Sequence, residues 1–249
     1  MLSEAENGSF KIGSSLASTL QIPAAGMFAL YAPIISDYLK SENFADLQTK
    51  YKEVAKLLFF IGAVLFSCIF LGVEDLFRLM PTYDNLKDSI PVILILGFSV
   101  LVNMATGFNG EIITYSKYYR FNLIAILFLI VLNLGLNFYF ISYTDLGISG
   151  VAYASFISMT LFNVSKLLFI YKKFGLLPFD KGFMKMALIF GLSCLGIYYL
   201  PETSSHLFNL VYKIGLSLAI NIFVIYKLRL VYALNQWGTK MFNRFTGKL

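Results

Sequence analysis

Residues 121–141 read FNLIAILFLIVLNLGLNFYFI, and no side chain among them is acidic or basic. Coiled as an α-helix, a run of ~20 apolar residues matches the thickness of a bilayer's hydrocarbon core. Asn133 and Asn137 lie one helical turn apart and share a face. In lipid, such amides pair with a neighbouring helix more often than they bind a ligand. The stretch, span D (Phe121–Ile141), therefore predicts a helix that crosses a membrane.

Working outward, six further runs share this character. Before D come A (Gly13–Ser36), B (Val54–Val73) and C (Ser89–Thr114). After it come E (Ile148–Tyr171), F (Phe183–Leu200) and G (Leu207–Tyr226). The sequence predicts an all-α integral membrane protein of about seven transmembrane helices, with residues 1–232 as the bundle and 233–249 as a basic amphipathic cytoplasmic tail. Composition agrees: 58% of the 249 residues are hydrophobic and only 14% charged, with mean hydropathy +0.72. So little charge cannot clothe a water-exposed surface of this size. Span A is the polar one, with Ser14, Ser15, Ser18, Thr19 and Gln21 before a mid-span Pro23. Broken backbone needs protein or water around it. A is therefore a cavity-lining helix, or else a re-entrant or peripheral segment.

The loops alternate in charge. Those after A, C, E and G hold fifteen Lys and Arg, from Lys40 to Lys248, and the opposite set holds four. The richer side is assigned to the cytoplasm, which puts the C-terminus inside. Two amphipathic stretches sit on that side. Phe44, Leu47, Tyr51, Val54 and Leu58 recur at helical spacing, which predicts a helix lying on the membrane surface. Val231, Leu234, Trp237, Met241 and Phe245 repeat the pattern in the tail, whose bland alternative is a solvated, partly disordered end. The net charge of +6 is thus a topology signal and not a nucleic-acid footprint. The acidic start MLSEAENGSF is unlike a secretory signal. Cys68 and Cys194 fall inside apolar runs and read as small core residues.

Catalytic patterns are lacking. The single histidine, His206, lies in a short outer loop, and neither a Cys/His cluster nor a hydrolase or phosphate-loop motif occurs. The expectation is a chain with neither metal nor cofactor, and not an enzyme. Charges within spans are then the functional candidates. Glu111 shares a stripe of C with Asn103 and Gly107, widened by Thr106, Asn109 and Gly110. That face lines a wet passage, receives a neighbouring helix, or leaves Glu111 paired with Lys117 or Arg120 among headgroups. In E, Lys166 follows Asn163 by about one turn. Lys166 either snorkels to the inner headgroups or faces a cavity and attracts phosphate. Together with Gln21 of A, these residues are the pathway candidates.

A pattern through C, D and E adds a resemblance. It runs Tyr83, Ile90-Pro91-Val92-Ile93-Leu94-Ile95-Leu96-Gly97, Asn103, Gly107, then Thr114-Tyr115-Ser116-Lys117-Tyr118-Tyr119-Arg120-Phe121-Asn122. Leu132-Asn133-Leu134-Gly135-Leu136-Asn137 and Leu146-Gly147-Ile148-Ser149-Gly150-Val151-Ala152-Tyr153-Ala154-Ser155 complete it, and Ala32-Pro33-Ile34-Ile35-Ser36 precedes it. The order resembles the polysaccharide-transporter branch of the multidrug/oligosaccharidyl-lipid/polysaccharide exporter superfamily, the O-antigen and capsule repeat-unit flippases. In that branch a helix ends in a Lys/Arg turn, the next carries N-x-x-x-N, and a short outer loop leads to G-I-x-G-A/V-A. Over residues 20–175 the resemblance implies spans eight to fourteen of a fourteen-helix, two-lobe flippase, hence a truncated chain lacking an N-terminal lobe. It further implies a multi-pass protein of the bacterial cytoplasmic (inner) membrane that moves an isoprenoid-pyrophosphate-linked saccharide by alternating access. A multidrug exporter of the same superfamily is the near alternative. A membrane-embedded glycan polymerase or acyltransferase is the alternative from another class.

Overall fold

A computed structural model describes residues 4–245, and the side chains of Ala5 and of residues 239–245 lie outside that description. Every regular element among the described residues is helical. In order these are α1 (Glu4–Thr19), α2 (Ile22–Lys40), α3 (Phe44–Arg78), α4 (Tyr83–Leu86) and a 3-10 turn (Lys87–Ser89). Then follow α5 (Ile90–Ala105), α6 (Asn109–Thr114), α7 (Tyr119–Tyr143), α8 (Gly147–Phe174), α9 (Lys181–Tyr198), α10 (His206–Lys227) and α11 (Tyr232–Phe245). Among the described residues seven helical stretches are long and apolar enough to cross a membrane, one for each of A to G.

α3 is the central mast, packed on by α2, α5, α9 and α10. Its start is capped by Asn43, whose side chain accepts from the Asp46 amide at 3.3 Å. At 1.5 Å per residue its 35 residues span about 52 Å, well beyond a ~30 Å hydrocarbon core. This corrects the expected surface helix. Leu47, Tyr51, Val54 and Leu58 are fully buried in the largest core cluster, and Phe44 packs against it. Their apolar stripe meets α2, α6 and the end of α8 instead of headgroups, so the segment prolongs span B without a break.

Span A is also corrected. The chain breaks at Leu20 and Gln21, before Pro23. Pro23 falls in the first turn of α2, where its missing N–H leaves no helical bond unmade. Contacts run in step along the two broken spans. Phe10 packs with Val92, Leu20 approaches Gly97, and the Tyr31 and Phe108 rings stack at 6.2 Å. α1–α2 and α5–α6 therefore lie side by side in the same direction. α7 is the least covered of the seven spans, with only 6% of it buried. It leans on α8 through the stacked rings of Phe121 and Phe169, 3.8 Å apart, and the Asn133 amide donates to Ser155 Oγ at 3.4 Å. Leu123, Leu127, Val131 and Leu134 stay exposed. A helix apolar on every side yet so little covered belongs in lipid.

The loops meet at two ends. At the basic end Phe44 and Tyr118 both contact the Phe174 ring, Gln48 exchanges hydrogen bonds with Leu177, and Lys56 pairs with Asp180 at 2.6 Å. At the other end Asp75 meets His206 at 2.8 Å, and Lys213 meets Glu202 at 2.8 Å. The alternation in the sequence is thus realised as two layers of loops.

Asp180 also caps α9 by accepting from the Phe183 amide at 2.8 Å. Burial pushes its carboxyl up, but the Lys56 hydrogen bond, the Phe183 amide and the charges of Lys56 and Lys52 outweigh this and hold it below its ordinary value. A carboxylate lowered in the folded state adds stability above the unfolded value of about 3.9, and loses it as pH falls through the folded value. Asparagine caps helices as well as aspartate does. Asp180→Asn is therefore expected to cost a few tenths to about 1 kcal/mol near neutral pH through the lost charge alone. It should also flatten the acid limb of the melting profile, measured in detergent between pH 7 and pH 3.

Candidate functional site

The site begins where span C fails to be one helix. α5 ends at Ala105 and α6 starts at Asn109, with Gly107 between them at φ +62. The expected continuous stripe Asn103–Gly107–Glu111 is therefore interrupted. The interruption gathers more polar groups than an unbroken stripe would. Thr106 and Asn109 turn inward beside Asn103, and all three face Asn163 of α8.

Asn163 is fully buried and fully used. Its amide donates to Asn103 Oδ1 and to the Met159 carbonyl, both at 3.1 Å. Its oxygen accepts from the Asn109 amide at 3.1 Å. The Thr106 hydroxyl gives its proton to the Asn103 carbonyl at 2.7 Å and accepts from Asn109 at 2.9 Å. Its 3.3 Å approach to Asn163 Oδ1 is then a contact without a proton to share. Three asparagines and a threonine so tie α5, α6 and α8 together at membrane depth.

Lys166 lies one turn further along α8 and is 6% exposed. It neither snorkels nor faces an open cavity. Its Nζ sits 4.0 Å from the centre of the Phe162 ring and close to Gly110 of α6. The electron-rich ring face supplies part of what a carboxylate would. Among the described residues Lys166 forms no hydrogen bond or ion pair. The Glu111 carboxylate, half-buried on α6, lies within Coulombic reach of Lys166 and of the buried Tyr51 hydroxyl. Glu111 does not pair with Lys117 or Arg120, which lie over the rings of Tyr118 and Tyr119.

Beside the cluster, α8 and α9 scarcely touch. Between them opens a groove of about 550 Å³, floored by α3 and α5. Phe59, Phe66, Phe98, Phe183 and Phe190 form much of its wall, and Thr106, Thr160 and Asn163 make its polar end. The Thr160 hydroxyl there is buried without a partner. Cys194 also lines it, its thiol donating to Ser67 Oγ at 3.2 Å; both cysteines are free.

Five of the six pathway candidates therefore converge: Asn103, Asn109 and Asn163 in one network, with Lys166 and Glu111 alongside. Gln21 does not join them. It is exposed at the α1–α2 break, and Ser15, Ser18 and Thr19 are exposed with it. Those hydroxyls of Ser18 and Thr19 bond back to carbonyls three residues earlier. Tyr51, Thr160 and the Asp75–His206 contact were not among the candidates. Thr160 lies three residues before Asn163, a spacing that puts both on one helix face. Asp75 and His206 are 131 positions apart, and no local pattern joins them.

Comparison with known proteins adds one match. A family model described as MatE matches residues 1–139, which takes in spans A to C and nearly all of D. No curated protein and no solved structure matches the chain.

Proposed function

The chain belongs to the MatE family of membrane exporters, and on that premise we propose that it moves a lipid-linked saccharide across the bacterial cytoplasmic membrane by alternating access. The observation that carries this reading is the α8–α9 groove. A substrate with an isoprenoid tail and a polar head needs an apolar trough that ends in hydrogen-bonding groups. The phenyl walls offer the trough, and at its end the Thr160 hydroxyl, left without a partner among the described residues, is free to bond a polar head, while Thr106 and Asn163 are held in their own network. Lys166, one turn from Asn163, is the cation nearest to where a pyrophosphate would arrive, and movement of α6 about Gly107 would uncover it. The basic end is the cytoplasmic one, in keeping with the charge bias.

The two-lobe mechanism calls for a second bundle. The exposed polar face of α1 and the start of α2 is where it docks, supplied by another polypeptide or another copy of this chain. A drug-exporting reading rests on the same groove, because flat lipophilic compounds stack well on phenyl walls.

Reconstitution separates the two. The chain, with its partner bundle, is placed in liposomes and offered a fluorescent lipid-linked oligosaccharide or a lipophilic cationic dye. The saccharide is expected to cross, and Thr160→Leu, which removes a hydroxyl from the polar end, is expected to slow it about tenfold, the effect of ~1.4 kcal/mol in the barrier. Dye transport with no saccharide movement overturns the flippase reading.

A further inference from the structure

We infer that the basic end holds a binding site for the phosphate group of an anionic phospholipid, in the cleft where α11 folds back over α3 and α10. The cleft has a volume of about 980 Å³. Lys52, Glu53 and Lys56 of α3, Asp180 ahead of α9, and Lys227 and Arg229 at the α10–α11 turn line it. Three of these six charges are already met, one of them by Lys50 from outside the lining. Lys56 is taken by Asp180, and Glu53 by Lys50, each at 2.6 Å. Lys52, Lys227 and Arg229 form no ion pair among the described residues. The cleft thus presents three uncompensated positive charges, which a phosphate diester would meet.

The backbone at the cleft is that of a helix end, with the Leu230 amide reaching back to the Ile225 carbonyl at 3.2 Å. Arg229 stands at φ +52, a left-handed conformation that strains an L side chain and that turns ordinarily assign to glycine. Arg229 lines the cleft and is exposed, and the planar donor fork of an arginine fits phosphate oxygens in pairs. Gly238 does the opposite service. Any side chain there would collide with the Tyr226 ring, so its absence lets α11 close against α10.

The approach to the cleft selects a lipid over a soluble anion. Tyr226 belongs to its wall and is exposed together with Ile222 and Phe223, one turn earlier on α10. That face is lipid-covered in a membrane. A headgroup in the cleft would therefore leave its acyl chains along Ile222 and Phe223, at the level where α10 ends. Basic clefts between spans at this level suit anionic headgroups. None of this depends on what the protein transports.

Trp237 is the chain's one tryptophan and is exposed on α11, next to Gln236 of the cleft wall. Its emission is the readout. The full chain is placed in nanodiscs of phosphatidylcholine with rising fractions of phosphatidylglycerol. A saturable blue shift is expected. Arg229→Gln and Lys52→Gln should each raise the half-saturating fraction about fivefold, the effect of one cation near the surface. Lys117→Gln, at the basic end but outside the cleft, should leave it unchanged. Inorganic phosphate at millimolar concentration, with phosphatidylcholine alone, should not move the emission. An equal loss in all three variants would mean diffuse attraction. A shift with inorganic phosphate alone would mean a soluble-anion site. Either result overturns the proposal, and Lys52→Gln alone decides it if Arg229→Gln does not fold.

Discussion

Gly107→Val is expected to be the most damaging single substitution in the chain, with loss of the folded protein from the membrane fraction. Two independent costs add at this position. The backbone stands at φ +62, where a side chain costs roughly 1–2 kcal/mol and a β-branched one more. A Cβ would also lie 3.1 Å from both Ala55 Cβ and Tyr51 Cε2, and 3.3 Å from Ala55 Cα. Tyr51 is wedged in the core and the Ala55 Cα belongs to the mast, so neither neighbour yields cheaply. Overpacking of this kind costs typically ~1–3 kcal/mol. Together the terms reach about 3–5 kcal/mol, a large part of the stability of an ordinary domain. Fluorescence-detected size-exclusion chromatography of a tagged variant checks this. A monodisperse peak of normal height, with an unchanged melting temperature, would show that the break between α5 and α6 can be remade without glycine.

Asn163→Leu is expected to follow, at about 2–4 kcal/mol, with a destabilised but assembled bundle. Leucine is close in volume, so the loss is polar. The Asn103 side-chain oxygen loses its donor, and the Asn109 amide keeps only Thr106. A buried polar group left unpaired costs about 1–3 kcal/mol. Helix-to-helix hydrogen bonds in membranes average nearer ~0.6 kcal/mol, because the separated helices find other partners. The larger figure applies here since several groups are orphaned at once. Asn103→Leu in the same chain should recover part of the loss, because it removes one orphan. Thermal melts of the two single variants and the double variant measure this coupling. Strict additivity would mean that the amides do not act as one network.

The fold was legible where composition alone decides. Seven apolar runs, and basic residues on alternate loops, needed only length and charge, and the helices and loop layers follow them. Errors fell where tertiary context overrides a local pattern. Leu47, Tyr51 and Val54 are spaced as an interfacial helix would space them, and nothing local says that α2 and α6 cover them. The helical stripe through Asn103, Gly107 and Glu111 invited a straight helix, and the left-handed glycine was the overlooked signal. For the site, polar residues within spans pointed to the side chains that the bundle gathers around Asn163, since lipid makes each of them costly. Gln21 stands apart from that cluster because a polar residue beside a proline has the same signature whether it faces neighbouring helices or the outside of the bundle. Lys166 escaped both expectations because the Phe162 ring one turn earlier and the close approach of α6 shelter it, and the packing of α6 on α8 has no local signature.

The mast has a consequence for the order of assembly. α7 docks on α8 across one short loop, so that hairpin can form as soon as both have entered the bilayer. α3 must wait far longer, because Gly72 is met by Leu210 and Ile214 of α10. Throughout that interval the stripe of α3 around Phe60 and Gly72 is wetted by acyl chains. The docking of α9 and α10 is therefore an exchange in which they displace lipid from one side of a helix already in place. Water is not expelled in that step, so its driving force is the closer fit of side chain to side chain.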